Sequence, residues 1–298
     1  MITANYHTHT ARCQHAKGED RAYVEEAIAG GLKVLGFSDH CPWVFPKEYV
    51  SRTRMRPEEL DDYFTSLEQL RREYARDITI YIGFEYVPDM MEEQRRLLEG
   101  YPIDYRILGE HFTENEMHSV YTGFPSNDAS ALQRYVDLVI EALETGDYLY
   151  PAHPDLMHFT GADEIYDEQF RRLCVYCKEK QFPLEINLLG LVESRHYPSR
   201  RFWKIAEEVG NSASSAAMPT RRIGSPIKST SGCARIGQHS SICRWCRCCR
   251  TSAQNKPMLI NADSCRFPKR KQQLFFYAYG IVAVIRTAAH QWGSGSLP

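Results

Sequence analysis

The residues that could do chemistry here are histidines, and the first of them stand in His7-Thr8-His9. In extended backbone, residues two apart face the same way. Two imidazoles at that spacing can therefore grip one cation from a single strand end. Further along, Asp39-His40, Glu85, Glu110-His111 and His153-Pro154-Asp155 each close a short β-rich run. An imidazole or carboxylate thus stands at the C-terminal end of five successive candidate strands. A mixed nitrogen and oxygen donor set of this kind suits zinc, iron or manganese. Two or three such ions can hold a phosphate and lower the pKa of a bound water, which creates a nucleophile at neutral pH. Nothing in packing alone demands His or Glu at these positions.

Isolated residues carry less. His118 and His158 fall in loops and read as surface. His196, between Arg195 and Tyr197, is balanced between surface and site. Cys174 and Cys177 are three apart in a helical run and share a face. Without a second pair they read as helix packing or surface, not as a zinc or redox site.

The elements that must position these groups follow a regular alternation. Candidate strands are Ile2–His9, Lys33–Ser38, Ile78–Glu85, Asp104–Gly109, Asp147–His153 and Pro183–Asn187. Between and after them lie helical stretches at Asp20–Ala29, Pro57–Ala75, Pro88–Leu98, Asn127–Glu144, Asp163–Lys180 and Ser199–Val209. Gly30-Gly31 is a normal helix stop, and Pro57 suits a first turn. Six βα units in a row imply a parallel sheet or barrel, whose C-terminal rim gathers the chemistry. At 298 residues with 43% apolar and 25% charged residues, the chain is long enough for one large α/β barrel or two average domains. It has no apolar run of 18 residues and no secretory leader pattern, so a cytoplasmic protein that does not cross a membrane is expected.

The spaced motifs together resemble the PHP (polymerase and histidinol phosphatase) family. They are His7-Thr-His9-Thr-Ala-Arg-Cys13-Gln-His15, Phe37-Ser-Asp-His40, Gly83-Phe-Glu85, Gly109-Glu-His111, Ala152-His153-Pro154 and Glu185-Ile-Asn187. The opening run is most similar to the histidinol-phosphate phosphatase branch. The resemblance implies a distorted (β/α)7 TIM-like barrel over residues 1–211, with two or three divalent ions (Zn, Mn or Fe) on its rim. By position, His7, His9, His40, Glu85, His111 and His153 match the family's metal ligands, and Glu85 matches a carboxylate that can bridge two ions. The implied reaction hydrolyses L-histidinol phosphate to L-histidinol and phosphate, late in histidine biosynthesis, by attack of a metal-activated hydroxide on phosphorus. Glu85, His9 and Arg195 are the residues expected to carry it.

Other roles rest on the residues themselves. Arg12 and His15 follow the first histidine pair and could meet the substrate's phosphate or imidazole. Arg195 could clamp a phosphate, since guanidinium matches its oxygens in a fork. Asp39, Glu110 and Asp155 could orient a neighbouring imidazole N–H, although adjacent strand residues face opposite ways. The expected partner is a small phosphomonoester. Another PHP phosphoesterase or a nuclease is the alternative enzyme reading. Against a nucleic-acid substrate, residues 1–210 carry 23 Lys+Arg and 37 Asp+Glu.

The pattern breaks after Gly210. Residues 211–298 hold 13 Lys+Arg, one acid (Asp263) and six of the ten cysteines. The family's seventh strand should follow here and end in Gly-x-Asp-x-His, but the chain reads Ser212-Ala-Ser-Ser-Ala-Ala-Met-Pro. Codons for Ala213–Arg222 read two bases out of phase can spell Val-Ile-Gly-Cys-Asp-Ala-His-Thr. That is the missing strand and motif at the expected place. Residues 212–298 therefore read as an irregular basic tail produced by a frameshift near codons 210–213, which leaves the seventh strand incomplete and activity impaired. The competing reading is a non-catalytic, nucleic-acid-binding basic module. Its His239-x3-Cys243-x2-Cys246-x-Cys248-Cys249 cluster fits no common finger spacing.

Overall fold

The computed structural model describes residues 3–46, 49–86, 95–114 and 116–214. Four parallel strands form one sheet in chain order: β1 (Ala4–Thr8), β2 (Val34–His40), β3 (Thr79–Tyr86) and β4 (Tyr105–Leu108). The α/β character, the parallel order and the strand positions agree with the expected TIM-like barrel, of which this sheet makes about half. The predicted fifth strand, Asp147–His153, is reduced to one parallel bridge, Leu108↔Pro151. Around that bridge, Leu149 donates to Arg106, Leu108 to Tyr150 and Ala152 to Leu108 through the backbone. The segment thus lies beside β4 as predicted, without continuous pairing.

A second, two-stranded parallel sheet joins β5 (Leu184–Glu185) to β6 (Ala213–Ser214). Leu184 donates to Ser212 O and Ile186 to Ser214 O. The predicted sixth strand, Pro183–Asn187, is thus reduced to Leu184–Glu185 and is paired with Ala213–Ser214. The first residues past the composition break start the seventh strand, because main-chain pairing does not depend on which side chains arrive. Residues 215–298 lie outside the described residues, as do the cysteine cluster and the apolar run Leu274–Ile285.

Helices α1 (Asp20–Ala29), α2 (Leu60–Glu73), α3 (Ala129–Glu144), α4 (Asp163–Lys180), α5 (Leu188–Val192) and α6 (Arg200–Val209) complete the described elements. In α2 the buried residues Leu60, Tyr63, Phe64, Leu67 and Leu70 form a stripe at helical spacing. Its predicted start, Pro57, opens a 3-10 turn (Pro57–Glu59) that runs into the helix. Side-chain caps set other starts: Asp128 accepts from Ser130 N, and Ser199 accepts from Phe202 N. Gly210, at φ 81°, ends α6. Most of the predicted helix 88–98 lies outside the described residues. Among the described residues, no helix is long and apolar enough to cross a membrane.

The strands alternate between two cores. Leu35, Phe37, Ile80, Ile82, Phe84 and Tyr86 pack under the helices. Ala4, Tyr6, Tyr105, Ile107, Tyr150 and Ala152 fill the inside of the sheet. Tyr105 is central to that inner layer, donating to Tyr6 O (2.7 Å) and Phe37 O (2.9 Å). Gly36 and Gly83 make room for it, since a Cβ at either would overlap Tyr105. This aromatic layer forms a floor, and the functional groups stand above it at the strand ends.

Candidate metal centre

Glu85 projects from the end of β3 into the middle of five imidazoles. Its Oε2 faces His7 Nε2 at 3.4 Å, His9 Nε2 at 3.5 Å and His40 Nε2 at 3.5 Å. Its Oε1 faces His111 Nε2 at 3.4 Å and His153 Nε2 at 2.9 Å. A register shift in β1 between Asn5 and Thr8 interrupts the alternation there. Tyr6 packs in the floor while His7 reaches Glu85, a re-aiming typical of bulges near sites. Gly109, just past β4, leaves space for the carboxylate, because a Cβ there would overlap Glu85 Oε1. The six predicted ligand residues therefore converge on one point.

Glu185, at the end of β5, completes the arrangement. Its carboxylate meets His7 Nδ1 at 2.9 and 3.1 Å. It also accepts the backbone N–H of His153 at 2.8 Å, holding that residue at φ 31°, in the left-handed region. A carboxylate on Nδ1 keeps a proton there, so Nε2, facing Glu85, is the nitrogen His7 would offer to an ion. The motif Glu185-Ile-Asn187 was visible in the sequence, but no role was attached to its acid. The available signal was an acid at a sixth strand end in line with the other five. Replacing Glu185 by Gln is expected to weaken divalent-metal binding by about 10–100-fold, the usual effect of losing a partner behind a ligand histidine. Competition with a chromophoric chelator would measure it, and an unchanged affinity would remove Glu185 from this role.

The electrostatics suit a cation. Burial opposes charge on Glu85, but His40, His111 and His7 outweigh it and hold the carboxyl well below its usual range. Burial drives His40 and His111 well below the usual imidazole range, against partial opposition from Glu85. Burial works the same way on His7, but Glu185 and Glu85 together raise it well above that range. His15 is lowered to about 4 by burial and by His9. Neutral imidazoles present lone pairs, as ligands must. Glu85 Oε2 is buried without a hydrogen-bond partner among the described residues, as is His153 Nδ1. An unsatisfied buried carboxylate oxygen is costly, and a cation beside it would remove that cost. His7, His9 and Glu85 form one group whose donor atoms lie close enough for an ion, and His40, Glu85 and His111 form another.

The cavity above this cluster measures about 840 Å³. His15 lines it, 4.7 Å from the His40 ring. Arg195 lines it too, bonded to Glu193 Oε2 (2.7 Å) and Tyr197 Oη (2.7 Å). Arg12 is not brought to the cavity. Asp20 and Asp62 draw it into a separate cleft, with bonds of 2.9 Å to each. The carboxylates beside the ligand histidines divide. Asp39 binds the Thr10 N–H (2.5 Å) and hydroxyl and lies 3.6 Å from His9 Nδ1. Asp155 instead accepts from Ser199 N (2.6 Å) at the start of α6, and burial pushes its carboxyl up to about 7. Glu110 is buried and accepts from Phe112 N (3.3 Å). His196 lines the cavity, stacks on His158 at 4.1 Å and meets Leu156 O. Cys174 and Cys177 are buried in the helix-side core, as packing requires.

Parallel strands that aim His and Glu from their C-terminal ends over a packed floor define a metal-binding α/β barrel class. Within that class the chain belongs to the PHP domain family, whose model matches residues 5–188. It is 32% identical over 108 residues to a probable histidinol-phosphatase of Deinococcus radiodurans, covering 36% of this chain and 41% of that one. It is 28% identical over 120 residues to a histidinol-phosphatase of Bacillus subtilis, covering 37% and 44%. The chain thus spans about two fifths of the length of these relatives. In structure it resembles histidinol phosphate phosphatase of Lactococcus lactis, a complex with zinc, L-histidinol and phosphate. The TM-score is 0.55 at 22% identity, covering 71% of this chain and 84% of that one. A putative histidinol phosphatase of Listeria monocytogenes matches at TM-score 0.54 and 21% identity, covering 70% and 91%. At these identities the structural likeness speaks for the fold.

Proposed function

We propose that this chain carries the site of a metal-dependent phosphomonoesterase that converts L-histidinol phosphate and water to L-histidinol and phosphate. The observation that carries the reading is the buried Glu85 carboxylate ringed by five imidazoles at the base of a cavity with Arg195 on its wall. The relatives named histidinol-phosphatase support the substrate, and the zinc, histidinol and phosphate of the Lactococcus complex support the cofactor and ligand class.

His7 and His9 with Glu85 would hold one ion, and His40 and His111 with Glu85 a second. His153 and its Glu185 contact close the ring. When bound, zinc, manganese or iron supplies Lewis-acid charge and lowers the pKa of water. The chain's own residues bind and orient. The Arg195 guanidinium offers N–H groups to phosphate oxygens. Glu185 holds the His7 proton at Nδ1. His15, neutral near pH 7, can accept or donate one hydrogen bond to the substrate. Glu85 and His9 remain the residues on which turnover depends most.

In this reading the barrel spans residues 1–211 with a seventh strand cut short, and residues 212–298 are a frameshifted tail. The absence of Gly-x-Asp-x-His after Ser212, together with an out-of-phase reading of the codons that can spell it, supports that boundary. The test is phosphate release from L-histidinol phosphate. Release that needs added divalent metal and stops in chelator is expected, and release indifferent to chelator would overturn the reading.

A further inference from the structure

The cavity wall contains a buried arginine that the reading above leaves unused. Arg54 lies in the long loop between β2 and α2, and its side chain is 1% exposed. It shares the cavity lining with His40, Glu85 and His111. Three contacts fix its guanidinium. Nε donates to Glu116 Oε2 at 2.7 Å, Nη1 donates to Cys41 O at 3.3 Å, and the group lies 3.9 Å from the centre of the Trp43 ring. Glu116 is itself held by Tyr49 Oη (3.1 Å) and Thr53 Oγ1 (3.4 Å), and its side chain is 3% exposed. Nη2 is the remaining corner. Among the described residues it has no acceptor, and it is not one of the sealed polar atoms of the interior.

A guanidinium carries five N–H donors in a rigid fork. When one edge is locked by a carboxylate and one face by an indole, the open corner is pre-aimed. Binding through it costs little side-chain entropy, since none is left to lose. Arg195 differs: its side chain is 38% exposed and its donors engage Glu193 and Tyr197. We propose that Arg54 is the fixed anion anchor of the cavity, with Nη2 donating to a phosphoryl oxygen of the bound phosphomonoester and Glu116 as its positioning residue. This deepens the phosphatase reading and rests on it. Because Glu116 offsets the charge, the anchor selects by direction rather than by a permanently positive wall. A buried pair that merely braced the loops would share the ion pair and the indole contact, but would need no open Nη2 on the cavity side.

Inorganic phosphate titrated into the zinc-loaded full chain tests it, with 15N signals of the arginine side chains as the readout and calorimetry for affinity. The Arg54 signal, assigned by its loss in Arg54→Lys, is expected to shift with phosphate. Phosphate affinity is expected to fall about tenfold in Arg54→Gln, the loss of one charge-assisted bond. Glu116→Gln separates anchor from brace. The amide oxygen still accepts from Nε and keeps the fork in place while the offsetting charge is lost, so affinity holds or rises for an anchor and falls alongside Arg54→Gln for a brace. A silent Arg54 signal, or equal losses in the two variants, overturns the proposal. Failure of the phosphatase reading looks different: phosphate would shift Arg54, yet L-histidinol phosphate would stay intact even after the seventh-strand motif is restored.

Discussion

Glu85→Ala is expected to lower divalent-metal affinity more than a hundredfold and to abolish phosphate release. Both oxygens of this one carboxylate face imidazole nitrogens, Oε2 toward His7, His9 and His40, Oε1 toward His111 and His153. Losing a partner behind a ligand already costs about 10–100-fold, and Glu85 would serve two ion sites at once. Five imidazoles without the carboxylate still present nitrogen donors, but only Glu185, behind His7, is left to offset the ions' charge. The fold should survive. Removing one member of a buried charged cluster is destabilising when it strands the other charge, but His7 keeps Glu185 as its partner and burial holds His40 and His111 neutral, so no imidazolium is left unpaired. Metal content after dialysis, measured beside a circular dichroism spectrum, separates the two effects. Unchanged metal content with native dichroism would dismiss Glu85 as a ligand.

The second large effect is expected from a change of reading frame. Under the proposed frameshift, restoring the out-of-phase reading after codon 212 would replace Ala213-Ser214-Ser215 by Val-Ile-Gly and add an Asp and a His at the next strand end. Turnover of L-histidinol phosphate is expected to rise by on the order of a hundredfold or more, about 3 kcal/mol of transition-state stabilisation. The reason is positional. β6 already lies parallel beside β5, with Ile186 N bonded to Ser214 O. In the proposed reading the Asp would stand three residues beyond Ser214 and the His five, which carries the motif toward the rim where Glu185 and His7 meet. Equal turnover before and after repair would show that the site does not need those groups. Resequencing the gene across codon 212 decides separately which form the organism makes.

Much of this site was legible because strand ends are periodic positions. His7, His9, His40, Glu85, His111 and His153 each close a run whose alternation shows in the sequence, and all six converge. Glu185 stood at an equally regular position, but a single acid among several carries no signal until its partner is known. Loop residues behave differently. Arg12 and His15 follow the same strand, yet Asp20 and Asp62 draw Arg12 outward while His15 turns in. No spacing rule separates them, because long-range ion pairs decide the outcome. Arg54 is a stronger case. Its surroundings come from Trp43 and Cys41 in its own loop and Glu116 beyond β4, and no local pattern joins those three. The fifth strand was placed correctly but overextended, since residues 147–152 carry strand-like side chains while only one bridge forms.

Gly109 bears no reactive group, and a survey of chemical side chains would pass over it. Yet Glu85 can stand where it does only because nothing projects from Gly109. Tolerance of substitution at that position is therefore expected to be as narrow as at the histidines. Alanine, the mildest substitution elsewhere, would displace the one acid that all five imidazoles share.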